Sequence, residues 1–203
     1  MQKIFLDINT INNISLESVY SYVNLKSTQN LPPYFLENAG SEHYKLLAYL
    51  ASIINDTNNP YIDIGTYRGC SAAALSYNNN HSVITYDIID CITDNEIFSI
   101  KNKENIKIKI TDCCNEMLEI CQSKLILLDI DPHDGIQESK IIDYLIDYNF
   151  NGILLIDDIH LNENMQNFWD SIKLKKYDIT KYGHWSGTGV VIFNEKLFDI
   201  ILL

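Results

Sequence analysis

Side chains able to do chemistry gather at the ends of three apolar runs. Asp63-Ile64-Gly65-Thr66-Tyr67-Arg68-Gly69-Cys70-Ser71 follows Pro60-Tyr61-Ile62. Asp129 closes Leu125-Ile126-Leu127-Leu128, and the pair Asp157-Asp158 closes Ile153-Leu154-Leu155-Ile156. Glycines at a strand-to-helix turn let backbone approach a ligand, and clustered carboxylates suit a hard divalent cation. Together they point to a nucleoside-type cofactor at the first strand of the sheet and a metal beside it.

Within the turn, Gly65 permits close approach to a ligand and Gly69 lets the next helix pack near the strand. Ser71 falls in the first turn of that helix, where a hydroxyl and free N–H groups can meet a polar group. The spacing is G-x-x-x-G, which differs from the G-x-G-x-x-G of a pyrophosphate cradle. A second strand ends in Thr85-Tyr86-Asp87, and a carboxylate there can accept both hydroxyls of a ribose. The glycines also read as a plain tight turn, and Asp87 as an ordinary strand-end acid. Neighbours on a strand point to opposite faces, so Asp157 and Asp158 can share one ion only where the chain has begun to turn. The stretch from Asp129 to Asp157 leaves room for one crossover helix and two loops.

Alternating strand and helix signals position these residues. Apolar runs fall at 61–64, 83–88, 106–110, 125–129 and 153–157, with helical patterns at about 70–76, 93–99, 114–121 and 137–147. The runs at 125–129 and 153–157 are nearly unbroken, as strands covered on both faces should be. The expectation is an α/β, doubly wound, Rossmann-like fold: a mostly parallel seven-stranded sheet with helices on both faces. Lys176–Thr180 and Gly189–Phe193, separated by a Gly/Trp/Ser turn, predict a closing antiparallel hairpin. Residues 1–203 form one domain, with 1–40 an N-terminal lid or extension and 41–203 the core. A helix is expected over 15–23 and an amphipathic one over 41–54. Tyr34, His43 and Tyr44 are candidates for the lid. Gly183-His184-Trp185-Ser186-Gly187-Thr188-Gly189 lies between the last two strands. It reads as a substrate loop, with His184 and Trp185 against the acceptor, or as a turn whose Trp fills a core gap.

Composition excludes several classes. The chain has 203 residues, is 46% hydrophobic and 21% charged, and carries a formal charge of −12. Such a charge repels a polyanion, so nucleic acid is a poor partner. No apolar run approaches the roughly 20 residues of a membrane span, and the N-terminus lacks a secretory signal, so a cytoplasmic protein is expected. Cys70, Cys91, Cys113, Cys114 and Cys121 show no zinc spacing and read as reduced thiols.

The turn 63–71 resembles motif I of class I S-adenosylmethionine-dependent methyltransferases, above all its form in metal-dependent catechol and sugar O-methyltransferases. The resemblance covers roughly residues 40–193. It implies S-adenosyl-L-methionine as cofactor, with Asp63, Gly65, Tyr67, Gly69, Ser71 and Asp129 around it. It further implies Asp87 on the ribose and Asp112 near the adenine. It implies Mg²⁺, or another divalent cation, held by Asp129, Asp157 and Asp158. A metal on two vicinal hydroxyls orients the acceptor and lowers a hydroxyl pKa, and a nearby base takes the proton. Relatives carry that base three residues after the first metal Asp. Pro132 fills that position here and His133 is one further, with His160 a second candidate and Asp131 able to replace either. The acceptor expected is a vicinal diol of a sugar or glycan small molecule, a catechol being the alternative. A nicotinamide oxidoreductase and a non-catalytic cofactor-binding protein remain open. Sugar-type relatives often associate, so a homodimer is possible on the same grounds.

Overall fold

The computed structural model describes residues 1–19, 41–54, 58–77, 81–92 and 100–203. Its centre is a seven-stranded sheet. In chain order the strands are β2 (Tyr61–Ile64), β3 (Val83–Asp87), β4 (Ile106–Ile110), β5 (Leu125–Leu128), β6 (Ile153–Asp157), β7 (Lys175–Asp178) and β8 (Thr188–Ile192). Across the sheet they run β4-β3-β2-β5-β6-β8-β7. Every pair is parallel except those made by β8, which runs antiparallel to both β6 and β7. The expected hairpin therefore forms, with its second strand inserted between β6 and β7. The strand order reverses between β2 and β5, and ligands of open α/β sheets bind outside the carboxyl ends of strands at such a switch point.

Strand composition explains the layering. All four residues of β5 and all five of β6 are buried, as a parallel strand covered on both faces requires. Side chains alternate: Leu125, Leu127, Ile153 and Leu155 join one core, while Ile126, Leu128, Leu154 and Ile156 join the other. The first core is closed by α2 (Ser41–Ile53) through Leu46, Leu47 and Leu50, and by α3 (Cys70–Leu75) through Leu75. The second is closed by α4 (Met117–Ile120), α5 (Ile136–Asp147) and α6 (Glu163–Ser171), whose buried residues include Met117, Ile141, Phe168 and Trp169. Burying each Leu or Ile contributes about 1.5–3 kcal/mol, so the two unbroken strands anchor both layers.

Some features depart from expectation. The first residues form β1 (Gln2–Leu6), which pairs in parallel with β9 (Phe198–Leu202) as a separate two-stranded sheet. After it come α1 (Ile8–Asn12), capped by Asp7 accepting from Thr10 N, and a 3₁₀ turn at Leu16–Ser18 where the helix over 15–23 was expected. The remainder of that helix, Tyr34, and the helix expected at 93–99 lie outside the described residues. The helix expected over 114–121 divides into a 3₁₀ turn at Cys113–Glu116 and α4. Among the described residues, no helix is long and apolar enough to cross a membrane.

Candidate functional site

Gly65 follows β2, with φ at +109°, and its N–H donates to Tyr86 O at 2.9 Å. A Cβ there would lie 1.6 Å from the backbone oxygen of Asp129. The space opened by this glycine is thus filled by the neighbouring strand end, and Gly65 sets how closely β2 approaches Asp129. Asp63 sits two residues back, fully buried. Its Oδ2 accepts from Thr85 Oγ1 at 2.6 Å, and Thr85 in turn meets Thr66 Oγ1 at 2.6 Å. Burial pushes the Asp63 carboxyl up to about 7 against the hydroxyls of Thr85 and Ser71. Ser71 is buried, and its hydroxyl helps hold the Asp63 carboxyl.

Asp87 ends β3 half-buried. Its Oδ2 accepts from Tyr67 N at 2.9 Å, and its Oδ1 from Ile89 N at 3.0 Å. The acid thereby fixes the glycine turn, in which Tyr67 has φ +41° and a 55% exposed side chain, and Gly69 precedes α3. Each Asp87 oxygen keeps further acceptor capacity. Asp112 follows β4 at the same edge, where its Oδ1 accepts from Cys114 N and caps the 3₁₀ turn. A carboxylate accepting such a backbone N–H is favoured in its charged form, and Asp112 is held below the usual range chiefly by that bond.

On the other side of Gly65 the acids converge. Asp129 follows β5, Asp157 ends β6, and Asp158 has left the strand with φ +61°, the turn needed for the two neighbours to face one place. Asp129 is pushed well up by burial and by the charges of Asp157 and Asp158. Asp157 is pushed up to about 7 by burial and by Asp158. Asp158 goes the other way: burial raises it, but hydrogen bonds from His184 and Ser186 and the charge of His133 hold it below the usual range.

Three histidines surround these acids. His133 has φ +54°, follows a cis Asp131–Pro132 bond, and has its carbonyl held by Asn162 Nδ2 at 2.9 Å. Its Nε2 is 3.3 Å from Asp158 Oδ2 and 3.4 Å from Asp131 Oδ1. His184 Nδ1 is 3.5 Å from Asp158 Oδ1 and 3.7 Å from Asp157 Oδ2. Burial opposes a charge on His184, but Asp158, Asp157 and Asp129 together raise its pKa. His43, on α2, is 4% exposed, and its Nδ1 faces Asp157 Oδ1 at 3.7 Å. Burial drives His43 down to about 3, so its ring is neutral. Neither His43 Nδ1 nor Asp157 Oδ1 has a hydrogen-bond partner. Orphaned buried atoms beside mutually repelling carboxylates fit a cation at this edge, since a positive charge relieves both.

The structure thus brings together Asp129, His133, Asp157, Asp158 and His184. His160 is not among them: its ring bridges Gln166 Oε1 at 2.6 Å and Asp178 Oδ2 at 2.7 Å, and it pins α6 to β7. Trp185 is 69% exposed, with its ring 5.6 Å from that of His184. It fills no core gap. Two contributors escaped the sequence. Asn162 both caps α6 and holds the His133 carbonyl, and Asn before Glu163 was a readable N-cap signal. Ser186 bonds Asp158 and His184 and carried no local signal. His43, a lid candidate from sequence, lies buried beside Asp157.

No family model and no curated protein sequence matches the chain. Solved structures do. Cofactor-bound Rv0187 from MTB is 14% identical with a TM-score of 0.57, covering 88% of this chain and 85% of that one. A Staphylococcus aureus protein described as a candidate caffeoyl-CoA O-methyltransferase is 13% identical with a TM-score of 0.50, covering 72% and 82%. A methyltransferase from Geobacter sulfurreducens is 14% identical with a TM-score of 0.50, covering 73% and 76%. The chain carries the Rossmann-like fold of these methyltransferase structures, as its glycine turn and strand-end acids led one to expect.

Proposed function

We propose that this chain is an S-adenosyl-L-methionine-dependent O-methyltransferase that uses a divalent cation and acts on a vicinal diol, of a sugar or glycan in preference to a catechol. The observation that carries the reading is the side-by-side placement, at one switch point, of a glycine turn fixed by Asp87 and a cluster of three aspartates with histidines. When bound, the sulfonium cofactor would supply the methyl group, and the cation would orient the diol and acidify its hydroxyl. Asp129, Asp157 and Asp158 would hold that cation, and Asp87 would take the ribose hydroxyls with its remaining lone pairs.

His133 is the proposed base. Its Nε2 takes the acceptor proton, and Asp158 Oδ2, 3.3 Å away, stabilises the imidazolium that results. Asn162 holds the His133 carbonyl, and Asp131 Oδ1 lies 3.4 Å from the same ring nitrogen. His160 is set aside as base because Gln166 and Asp178 occupy both of its nitrogens. Trp185 offers an exposed face for stacking. An aromatic face serves a flat catechol equally, which keeps that acceptor as the second reading.

The test is methyl transfer to a panel of sugar diols and catechols, with and without chelator, in wild type and Asp157→Ala. The expected result is chelator-sensitive transfer that Asp157→Ala abolishes while binding of S-adenosylhomocysteine persists, because Asp157 lies across the sheet edge from the cofactor turn. Full activity in Asp157→Ala would sink the metal assignment.

A further inference from the structure

Nitrogen stands beside oxygen at the acid edge. Asp157 Oδ2 lies 3.7 Å from His184 Nδ1, and Asp157 Oδ1 lies 3.7 Å from His43 Nδ1. One carboxylate is therefore flanked by two imidazole nitrogens brought from distant parts of the chain. Asp157, Asp158 and His184 each offer a ligand atom, and the three lie within 4.8 Å of one another. The second, independent sign is His43, which is 4% exposed with its Nδ1 unpartnered and directed at an equally unpartnered carboxylate oxygen. At 3.7 Å these atoms are beyond hydrogen-bond reach.

Donor type selects the ion. Mg²⁺ and Ca²⁺ take oxygen ligands, whereas imidazole suits the later first-row ions. His184 Nδ1 lies 3.5 Å from Asp158 Oδ1 and 3.7 Å from Asp157 Oδ2, close enough for one ion to bind all three. The turn is built to hold this ring: His184 N donates to Thr188 Oγ1 at 2.8 Å and Gly187 N to His184 O at 3.0 Å. A Cβ on Gly187 would meet His160 N at 2.8 Å, so the loop lies tight against the chain just past Asp158.

We propose that this centre takes a transition ion of the Fe²⁺-to-Zn²⁺ series in preference to Mg²⁺, with His184 Nδ1 as a nitrogen ligand alongside Asp157 and Asp158. The inference rests on reading this edge as a metal centre. His184 then belongs to the ion, and His133, although Asp129, His133 and Asp158 also lie close enough to share one, keeps its role as the proposed base.

The test is titration of Zn²⁺ and of Mg²⁺ into wild type, His184→Asn and His160→Asn. A Cys114→Ser form of each is titrated in parallel to account for the separate Asp112, Cys113 and Cys114 group. The same titrations are followed by NMR of ¹⁵N-histidine-labelled protein. The expected result is Zn²⁺ binding that His184→Asn weakens about 10–100-fold and His160→Asn leaves alone, with Mg²⁺ affinity unchanged by either. In the wild-type spectrum the His184 ring nitrogen moves with Zn²⁺ and not with Mg²⁺, a readout that needs no variant to fold. Equal Zn²⁺ affinity in His184→Asn with a stationary His184 resonance would overturn the nitrogen ligand and leave the metal centre standing. No binding of either ion to wild type would overturn both.

Discussion

A carboxyl buried in the sheet beneath the glycine turn makes the stability of this protein depend on pH in a defined direction. Burial raises Asp63 to about 7, against the opposing hydroxyls of Thr85 and Ser71. The folded chain therefore keeps a proton that the unfolded chain releases between about pH 4 and pH 7. Stability contributed by this group is full at low pH and is lost as pH rises through that window. Asp157, raised to about 7 by burial and by Asp158, acts in the same direction, while Asp158, held low, acts in the opposite one. Asp63→Asn should flatten the decline. Urea unfolding at about pH 5 and about pH 8 should show wild type losing on the order of 1–3 kcal/mol more than the variant across that interval. Parallel declines would mean that Asp63 is ionised without penalty.

At the scale of elements, Gly65 is the hinge between the two halves of the site. The Cβ of Gly65→Ala would meet the Asp129 carbonyl at 1.6 Å, and the +109° φ is hostile to an L side chain. The Cβ of Gly69→Ala would meet only side-chain ends, Ile92 Cδ1 at 3.2 Å and Ile100 Cδ1 at 3.5 Å being the nearest. Gly65→Ala is expected to cost at least about 3 kcal/mol and to disturb Asp129, whereas Gly69→Ala should cost about 1–2 kcal/mol for its left-handed backbone. Thermal melts of the two variants check the order; equal losses would contradict it. The same element shows what a sequence can and cannot tell. β5 and β6 were legible because a doubly covered strand must be apolar throughout, and the acids that end them were legible because an apolar run stops there. α6 was not, since only Met165, Phe168 and Trp169 mark its buried face in an otherwise polar stretch. His43 was read on an amphipathic helix, but which acid it faces depends on how α2 docks on the sheet, and no local pattern encodes that.

Across the whole molecule, the two ends of the chain close one face of the sheet. β1 and β9 were illegible because each finds its partner at the far end of the sequence, with no turn between them to signal pairing. Ile4, Leu6, Phe198 and Ile200 are buried there and belong to the core that also holds Leu46, Tyr61 and Leu125. Ile4→Ala should lower stability by about 2–4 kcal/mol, as judged from chemical denaturation, and leave ligand affinity unchanged because it touches neither the glycine turn nor the acids. A loss of affinity matching the loss of stability would show the site to be coupled to the terminal strands. On the proposed function, the switch point takes a sulfonium nucleoside beside a cation. Calorimetric titration of S-adenosylhomocysteine into purified protein, with and without a divalent ion, is the decisive measurement. Micromolar binding, with Asp87→Ala abolishing it, is the predicted result. No heat of binding in either condition would contradict the account and leave the glycine turn as a structural bend that fits β2 against Asp129.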